Sequence, residues 1–274
     1  MTRLRSDDIW MIPQQLAAYD NYLRRTIGLT LKGLACRAAG LDEIVVESRI
    51  RASKVCAVPM TCGQGLIENF SETLSAIASH LGFDAYVTGG TDIAGMADAF
   101  QGDADMMLTA DDNRFLAVNM ATRKVADNSQ CTGEGFCEGL AQMAGGLKEK
   151  PVLVIGCGPV GQSAALYAAR SDATVTLFDI DRDRCRDFVD RQKNGTDFYV
   201  SDNLAAALDF HDLIVEATPA RGVIDLETIR PEMLIAAPGV PCGVTPEGRE
   251  LLDGRLLWDA LPIGVATMLM EAIA

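Results

Sequence analysis

Two groupings of residues in this chain have the types and spacing to do chemistry. The first is Gly156-Cys157-Gly158-Pro159-Val160-Gly161, which follows the β-branched apolar run Val152–Ile155 and precedes an Ala-rich segment. A second apolar run, Thr174–Phe178, ends at Asp179-Ile180. In a strand–turn–helix–strand unit, Gly156 permits the tight turn, Gly158 admits backbone close to a pyrophosphate, and Gly161 lets helix and strand pack closely. Pro159 and Val160 would open the helix, whose free N–H groups and positive dipole end suit phosphate. Asp179 stands where a carboxylate accepts hydrogen bonds from both adenosine ribose hydroxyls. It would repel a 2′-phosphate, so NAD is expected rather than NADP. FAD also uses such a turn, but NAD is the simpler reading.

The second grouping is Asp111-Asp112, in LTADDNRF. Two carboxylates at a strand end can form an Asx turn or cap a helix. They can also capture an ammonium group. A nicotinamide cofactor restricts the reaction to hydride transfer, and a primary amine must be neutral to give up hydride. With an ammonium pKa of about 10.4, deprotonation at pH 7 costs roughly 4–5 kcal/mol, which a base or a desolvated site must offset. Asp259 is a further carboxylate near the start of the last expected helix. Cys62 has no His placed to activate it, so lining or packing is expected of it rather than nucleophilic attack. His80 lies near the end of an amphipathic helix and His211 just before a strand, and neither is expected to act in catalysis.

The elements that must position these groups follow from periodicity. Residues 7–25 and Leu29–Ala39 read as helices, with a polar connection over 42–54. Val55–Pro59, a helix from about Leu66 to Leu81, Asp84–Val87, Ile93–Phe100 and Met106–Thr109 have the alternation of a parallel sheet. A hairpin (Phe115–Met120, Lys124–Ala126) and a helix (Thr132–Met143) lead to Gly145-Gly146. Beyond it come the fingerprint, a charged helix over 182–193, and strands at Phe198–Val200, Leu213–Ala217, Leu234–Ala237 and Leu256–Trp258. Ile263–Ala274 reads as the closing helix of this second half. The expected fold class is α/β: an amino-terminal helical and α/β domain over 1–146, then a Rossmann dinucleotide-binding domain with a parallel sheet over 147–274. Ligands of such sheets sit at the carboxyl ends of strands, so Thr218-Pro219 and Pro238-Gly239 join the cofactor residues. The loops 156–161, 218–222, 238–243 and 259–264 are expected to face one crevice, with 61–65 and 110–113 across it.

Composition sets outer bounds. A chain of 274 residues has room for two medium cores. The formal charge of −14 argues against nucleic acid or an anionic membrane as partner. It is compatible with a cationic substrate, but taken alone it reads as a solvated acidic surface. No apolar run reaches membrane-spanning length, and the start lacks a signal-peptide core. The eight cysteines include no CxxC pair and are not grouped with histidine at ligand spacing. They are expected to be reduced and mostly buried in a cytoplasmic protein, with no metal site.

The segments VPMTCGQGLIENFSETLSAIASHLGFDAYVT, LTADDNRFLAVN, VADNSQCTG, EATP, PGVPC and LPIGVATML, together with RRTIGLTLKG near the amino terminus, resemble the pyrrolysine biosynthesis PylD family. The likeness covers nearly the whole chain. It implies a homodimeric, NAD-dependent enzyme that oxidises the terminal amine of N6-(3-methyl-D-ornithyl)-L-lysine. Ammonia is then released and the pyrroline ring of pyrrolysine closes. By position the resemblance puts Asp111 on the substrate amine and Asn128 in the same pocket, with Leu4, Cys62 and Phe70 lining it. Cys62 stands where a serine is expected, and Asp259 where a longer, mobile glutamate is. Two other readings share the cofactor. A dehydrogenase of the shikimate or methylene-tetrahydrofolate type would want a lysine near its substrate, for which the first domain offers Lys32 and Lys54. A non-catalytic NAD-sensing module would leave the paired aspartates without a purpose.

Overall fold

The computed structural model describes residues 4–192 and 198–274. The chain forms two compact units. The first contains the chain up to Arg24, Leu29–Thr132 and Leu261–Ala274; the second contains Arg25–Gly28 and Gly133–Ala260.

The first unit opens with α1 (Ser6–Ile9) and α2 (Ile12–Ile27). One helix was expected over 7–25. The break falls just ahead of Pro13, which lacks an N–H and fits only the first turn of a new helix. α3 (Leu31–Ala38) starts at Thr30, whose hydroxyl accepts from Gly33 N at 3.0 Å. The segment expected to be a connection over 42–54 contains α4 (Glu43–Ala52), capped by the Asp42 carboxylate, which accepts from Ile44 N and Val45 N. Then come β1 (Lys54–Val58), α5 (Phe70–Leu81), β2 (Asp84–Val87), α6 (Asp92–Gln101), β3 (Met106–Ala110), β4 (Phe115–Asn119) and β5 (Val125–Asp127). Their sheet runs β2-β1-β3-β4-β5. The first three strands are parallel, as the βαβ alternation predicts, and the hairpin adds two antiparallel ones. Val55 to Val58 are all buried, as befits a strand covered on both faces.

α7 (Asn128–Ala144) begins four residues before the expected Thr132, because the Asp127 carboxylate takes Ser129 N at 2.9 Å and starts the helix there. The second unit then builds β6 (Pro151–Ile155), α8 (Pro159–Arg170), β7 (Thr174–Phe178), α9 (Arg182–Arg191), β8 (Phe198–Val200), α10 (Leu204–Phe210), β9 (Leu213–Glu216), β10 (Leu234–Ala236), α11 (Pro246–Leu251) and β11 (Leu256–Leu257). Residue 193, expected to end α9, lies outside the described residues. All six strands are parallel in the order β11-β10-β9-β6-β7-β8. This is the doubly wound Rossmann arrangement, with its switch point between β6 and β9. α11 was not expected; Thr245 caps it by accepting from Gly248 N.

The last helix, α12 (Pro262–Ile273), corrects the expected division of the chain. It packs on α3, α5, β4 and β5 of the first unit instead of closing the second. Nearly every residue of α12 is buried, so one apolar stripe laid on a sheet edge would not cover it. Asn119 Nδ2 donates to Ala272 O at 3.0 Å and Lys124 pairs with Glu271 at 2.9 Å, which fixes the helix end. A Cβ on Gly264 would lie 2.3 Å from Thr132 Oγ1 and 2.9 Å from Asn128 Oδ1, so glycine there lets α12 approach the first turn of α7. None of the eight cysteines is in a disulfide, and only Cys62 is exposed. Among the described residues, no helix is long and apolar enough to cross a membrane.

Candidate functional site

In the second unit the glycine turn has the form that a dinucleotide needs. Gly156 has φ +93°, and its N–H donates to Phe178 O at 2.7 Å. A Cβ on Gly161 would fall 1.8 Å from Gly156 O, so only glycine lets α8 come this close to the turn. A Cβ on Gly158, by contrast, would meet nothing within 4 Å. Open space at that one position is what a pyrophosphate requires. Gly158 caps α8, Pro159 opens it, and Gln162 Nε2 braces the turn by donating to Cys157 O at 2.9 Å. The Asp179 carboxylate is held at both oxygens. Oδ2 accepts from Cys157 N at 2.7 Å and Oδ1 from Asp181 N at 2.9 Å. A carboxylate has about four lone-pair sites, so two remain for ribose hydroxyls. Ile180, 96% exposed, follows it directly. These residues fit a dinucleotide.

Thr218-Pro219 and Pro238-Gly239 follow β9 and β10, as expected. What joins the two turns escaped sequence reasoning. Glu216, the last residue of β9, has no exposure to solvent. Its Oε1 accepts from Thr218 N at 3.0 Å and from the Thr218 hydroxyl, and its Oε2 accepts from Gly243 N at 3.1 Å. Burial pushes this carboxyl up to about 7, against the lowering effect of those three donors. The folded form therefore binds its proton more tightly than the unfolded chain does. The resulting stabilisation is complete below about pH 4.5 and is lost as pH rises to about 7. Urea titrations over this range should show the parent losing stability relative to Glu216→Gln by about 3 kcal/mol at most, with no further change above it. Parallel curves would contradict a raised Glu216.

In the first unit the paired aspartates do different jobs. Asp111 Oδ1 accepts from Asn113 N and Arg114 N, both at 2.7 Å, closing an Asx turn between β3 and β4. The N–H groups of Arg114 and Asn113, and then the Arg114 charge, hold its carboxyl below the usual range, so it is ionised at neutral pH. Both bonds land on Oδ1. Asp112 reaches the loop after β1, where its Oδ2 accepts from Gln64 N at 2.9 Å. Gly63, with φ +66°, has no room for a Cβ, which would lie 2.0 Å from that oxygen. Asp92 anchors the same loop from its other side, accepting from Thr61 N at 2.8 Å and the Thr61 hydroxyl at 2.6 Å. Cys62 is exposed between these two anchors.

Phe70, the first residue of α5, meets the buried Phe115 edge to face at 5.5 Å between centroids. Arg114 pairs with Asp127 at 3.1 Å, which links the Asp111 turn to the start of α7 and hence to Asn128. Asn128 Oδ1 is buried without a hydrogen-bond partner, a costly state for an acceptor. The structure thus brings together the 61–65 loop, the 111–114 turn, Phe70 and the start of α7. Leu4 is half-buried just ahead of α1 and outside this hydrogen-bonded set, although α1 packs on α5. Asp259 belongs to the second unit, where it is buried in the segment between β11 and α12, just ahead of that helix as expected. Asp92, Arg114 and Glu216 are the contributors that sequence reasoning missed. For Glu216 there was a signal: a lone carboxylate ending an otherwise apolar strand, LIVE.

Both histidines are engaged with groups of the fold. His80 Nε2 lies 3.0 Å from Asp20 Oδ2, and buried His211 bridges Ala207 O and the Thr176 hydroxyl.

Comparison with known proteins agrees with these features. The amino-terminal domain family of pyrrolysine biosynthesis protein PylD matches residues 8–126, and the carboxyl-terminal domain family of alanine dehydrogenase/PNT matches residues 129–223. The pyrrolysine synthases of Methanosarcina barkeri and Methanosarcina acetivorans are each 33% identical to the chain over 273 residues. Those alignments cover 100% of this chain and 98% and 100% of theirs. The quinate dehydrogenase of Corynebacterium glutamicum in complex with NAD has a TM-score of 0.55 at 14% identity, covering 81% of this chain and 94% of its own, a likeness of fold alone. The second unit is thus a dehydrogenase-type, nicotinamide-dinucleotide-binding fold. With a relative at this identity aligned from end to end, the chain belongs to the pyrrolysine synthase family.

Proposed function

We propose that the protein carries out the closing step of pyrrolysine formation, the NAD-dependent oxidation of the terminal amine of N6-(3-methyl-D-ornithyl)-L-lysine. The observation that carries this reading is Asp111. It is an ionised carboxylate with both turn bonds on one oxygen, on the loop cluster that also holds Cys62 and Phe70. Its Oδ2 would receive the substrate ammonium, and its charge keeps that group in place. As one ammonium proton passes to this carboxylate, the amine lone pair becomes able to expel hydride from the carbon that bears it. When bound, NAD supplies the acceptor for that hydride. The substrate imine then takes up water and releases ammonia. The free α-amine attacks the resulting aldehyde and water leaves, so the water consumed is returned. Asn128 offers an acceptor without a partner, and Asp259 a second carboxylate for proton movement. By family resemblance the working unit is a homodimer.

Purified protein, mixed with NAD and this dipeptide, is expected to form NADH and ammonia in equal amounts. Reduction of NAD by quinate or shikimate, with none by the dipeptide, would contradict the proposal. The lysine a shikimate-type site would want has no support here. Lys32 pairs with Glu47 at 2.7 Å, Lys54 Nζ donates to Gly102 O, and Lys124 pairs with Glu271.

Cofactor choice should follow Asp179. Arg182 and Arg184, the nearest following cations, are engaged with Asp202 at 2.7 Å and Asp181 at 3.2 Å. A 2′-phosphate would face a fixed carboxylate, at a cost of a few kcal/mol for like charges about 4 Å apart. We expect kcat/KM with NADP to be lower than with NAD by about 100-fold or more. Comparable values would mean that Asp179 does not meet the ribose.

A further inference from the structure

Among the described carboxylates of the second unit that the proposed reaction does not use, Glu216 is the most deeply buried. Glu216 is completely buried at the carboxyl end of β9, a strand otherwise composed of Leu, Ile and Val. A buried carboxyl group is costly unless hydrogen bonds offset the loss of water. It receives three hydrogen bonds from two different turns. Thr218 gives its N–H and its hydroxyl to Oε1, and Gly243 gives its N–H to Oε2. The backbone around it is shaped to fit. A Cβ on Gly243 would lie 2.2 Å from Oε2, and one on Gly239 would lie 2.2 Å from Thr218 O and 3.3 Å from Oε2. Two glycines thus leave room for one carboxylate, which spans the turn after β9 and the turn after β10.

Strand order says which half of a dinucleotide these turns serve. The glycine turn follows β6 and Asp179 ends β7, on one side of the switch point. They take the pyrophosphate and the adenosine ribose. β9 and β10 lie on the other side, towards the nicotinamide end. We propose that Glu216 is a positioning residue for the nicotinamide half of the cofactor: its carboxylate clips the 218–219 turn to the 239–243 turn, so that both present one surface to that half. This rests on the nicotinamide-dinucleotide reading of the second unit, and not on the identity of the amine substrate.

The test compares NADH with ADP-ribose, which keeps the adenosine half and lacks nicotinamide. Affinities are measured calorimetrically for the parent, Glu216→Gln and Glu216→Ala, with circular dichroism and thermal melts of each. The Gln side chain can accept on one side only, because its NH2 meets an N–H on the other. It should raise the NADH Kd about 10-fold, and Ala more, while the ADP-ribose Kd stays within about twofold. If Ala fails to fold, Gln decides. In turnover with the dipeptide, Gln should raise KM for NAD and leave KM for the dipeptide unchanged. Equal weakening of NADH and ADP-ribose would show that Glu216 only supports the fold. An unchanged NADH Kd in a folded Gln variant would also overturn the proposal. If NADH affinity shifts as expected but the dipeptide is never turned over, the substrate reading fails and the role of Glu216 stands.

Discussion

Asp111→Asn is expected to fold and to bind NADH like the parent, and to lose about 1000-fold in kcat, the middle of the range for a positioned base. The choice of Asn rests on the observed geometry. An Asn carbonyl oxygen can accept the same two hydrogen bonds, from Asn113 N and Arg114 N, that Asp111 Oδ1 accepts now. The β3–β4 turn and the Arg114–Asp127 pair should therefore persist, and only the charge disappears. Asp111→Ala would remove turn and charge together and could not separate them. Asp112→Asn is the control, since its oxygen can still take Gln64 N, and its effect on kcat should stay below about 10-fold. Melting temperature, NADH affinity and steady-state rates for the two variants decide the matter. Retention of more than a tenth of parental kcat in Asp111→Asn would make Asp111 a turn residue and nothing more.

A second large effect is expected in the glycine turn, where two substitutions of one methyl group should behave in opposite ways. Gly158→Ala puts a methyl into space with no protein atom within 4 Å, at a residue with φ −77° that any side chain tolerates. The fold should be unharmed, or gain a few tenths of a kcal/mol from a stiffer unfolded chain. The methyl takes the place of the pyrophosphate, however, and should cost one or two charge-assisted hydrogen bonds, about 100-fold in NADH affinity. Gly161→Ala places its methyl 1.8 Å from Gly156 O, a contact that only backbone movement relieves. Overpacking of this kind costs about 1–3 kcal/mol or more, so it should lower the melting temperature by several degrees as well as NADH affinity. Calorimetric binding and melts on both variants test this contrast. Equal melting temperatures for the two would contradict it.

These expectations also mark how far the sequence could be read. The βαβ alternation, the hairpin and the glycine turn were legible because each leaves a local pattern: apolar runs of strand length, turn residues, and a fingerprint with fixed spacing. α4 was not. Only Val46 and Ile50 on it are buried, while Ile44 and Val45 are exposed, so its amphipathic signal is weak and its Asp42 cap is the better clue. The affiliation of α12 was hidden for a different reason. A helix buried all round does not reveal which sheet covers it. The pair Asp111-Asp112 was legible as chemistry, but sequence could not say that one would tie down the loop carrying Cys62 while the other kept an oxygen clear of its turn. That division depends on Gln64 and Gly63, almost fifty residues away along the chain. Asp92 and Glu216 were overlooked because the partners that give them meaning also lie on other loops.

The most direct test of the proposed reaction follows one atom. The dipeptide is prepared with deuterium on the carbon bearing the terminal amine and incubated with the protein and NAD, and both products are examined by mass spectrometry. With both hydrogens of that carbon replaced by deuterium, the expected result is one deuterium in the reduced cofactor and an amino acid lighter than the substrate by one ammonia, one hydrogen and one deuterium, the mass of pyrrolysine carrying the deuterium that remains. Unlabelled NADH, or a dipeptide recovered at its starting mass, would contradict oxidation at that carbon.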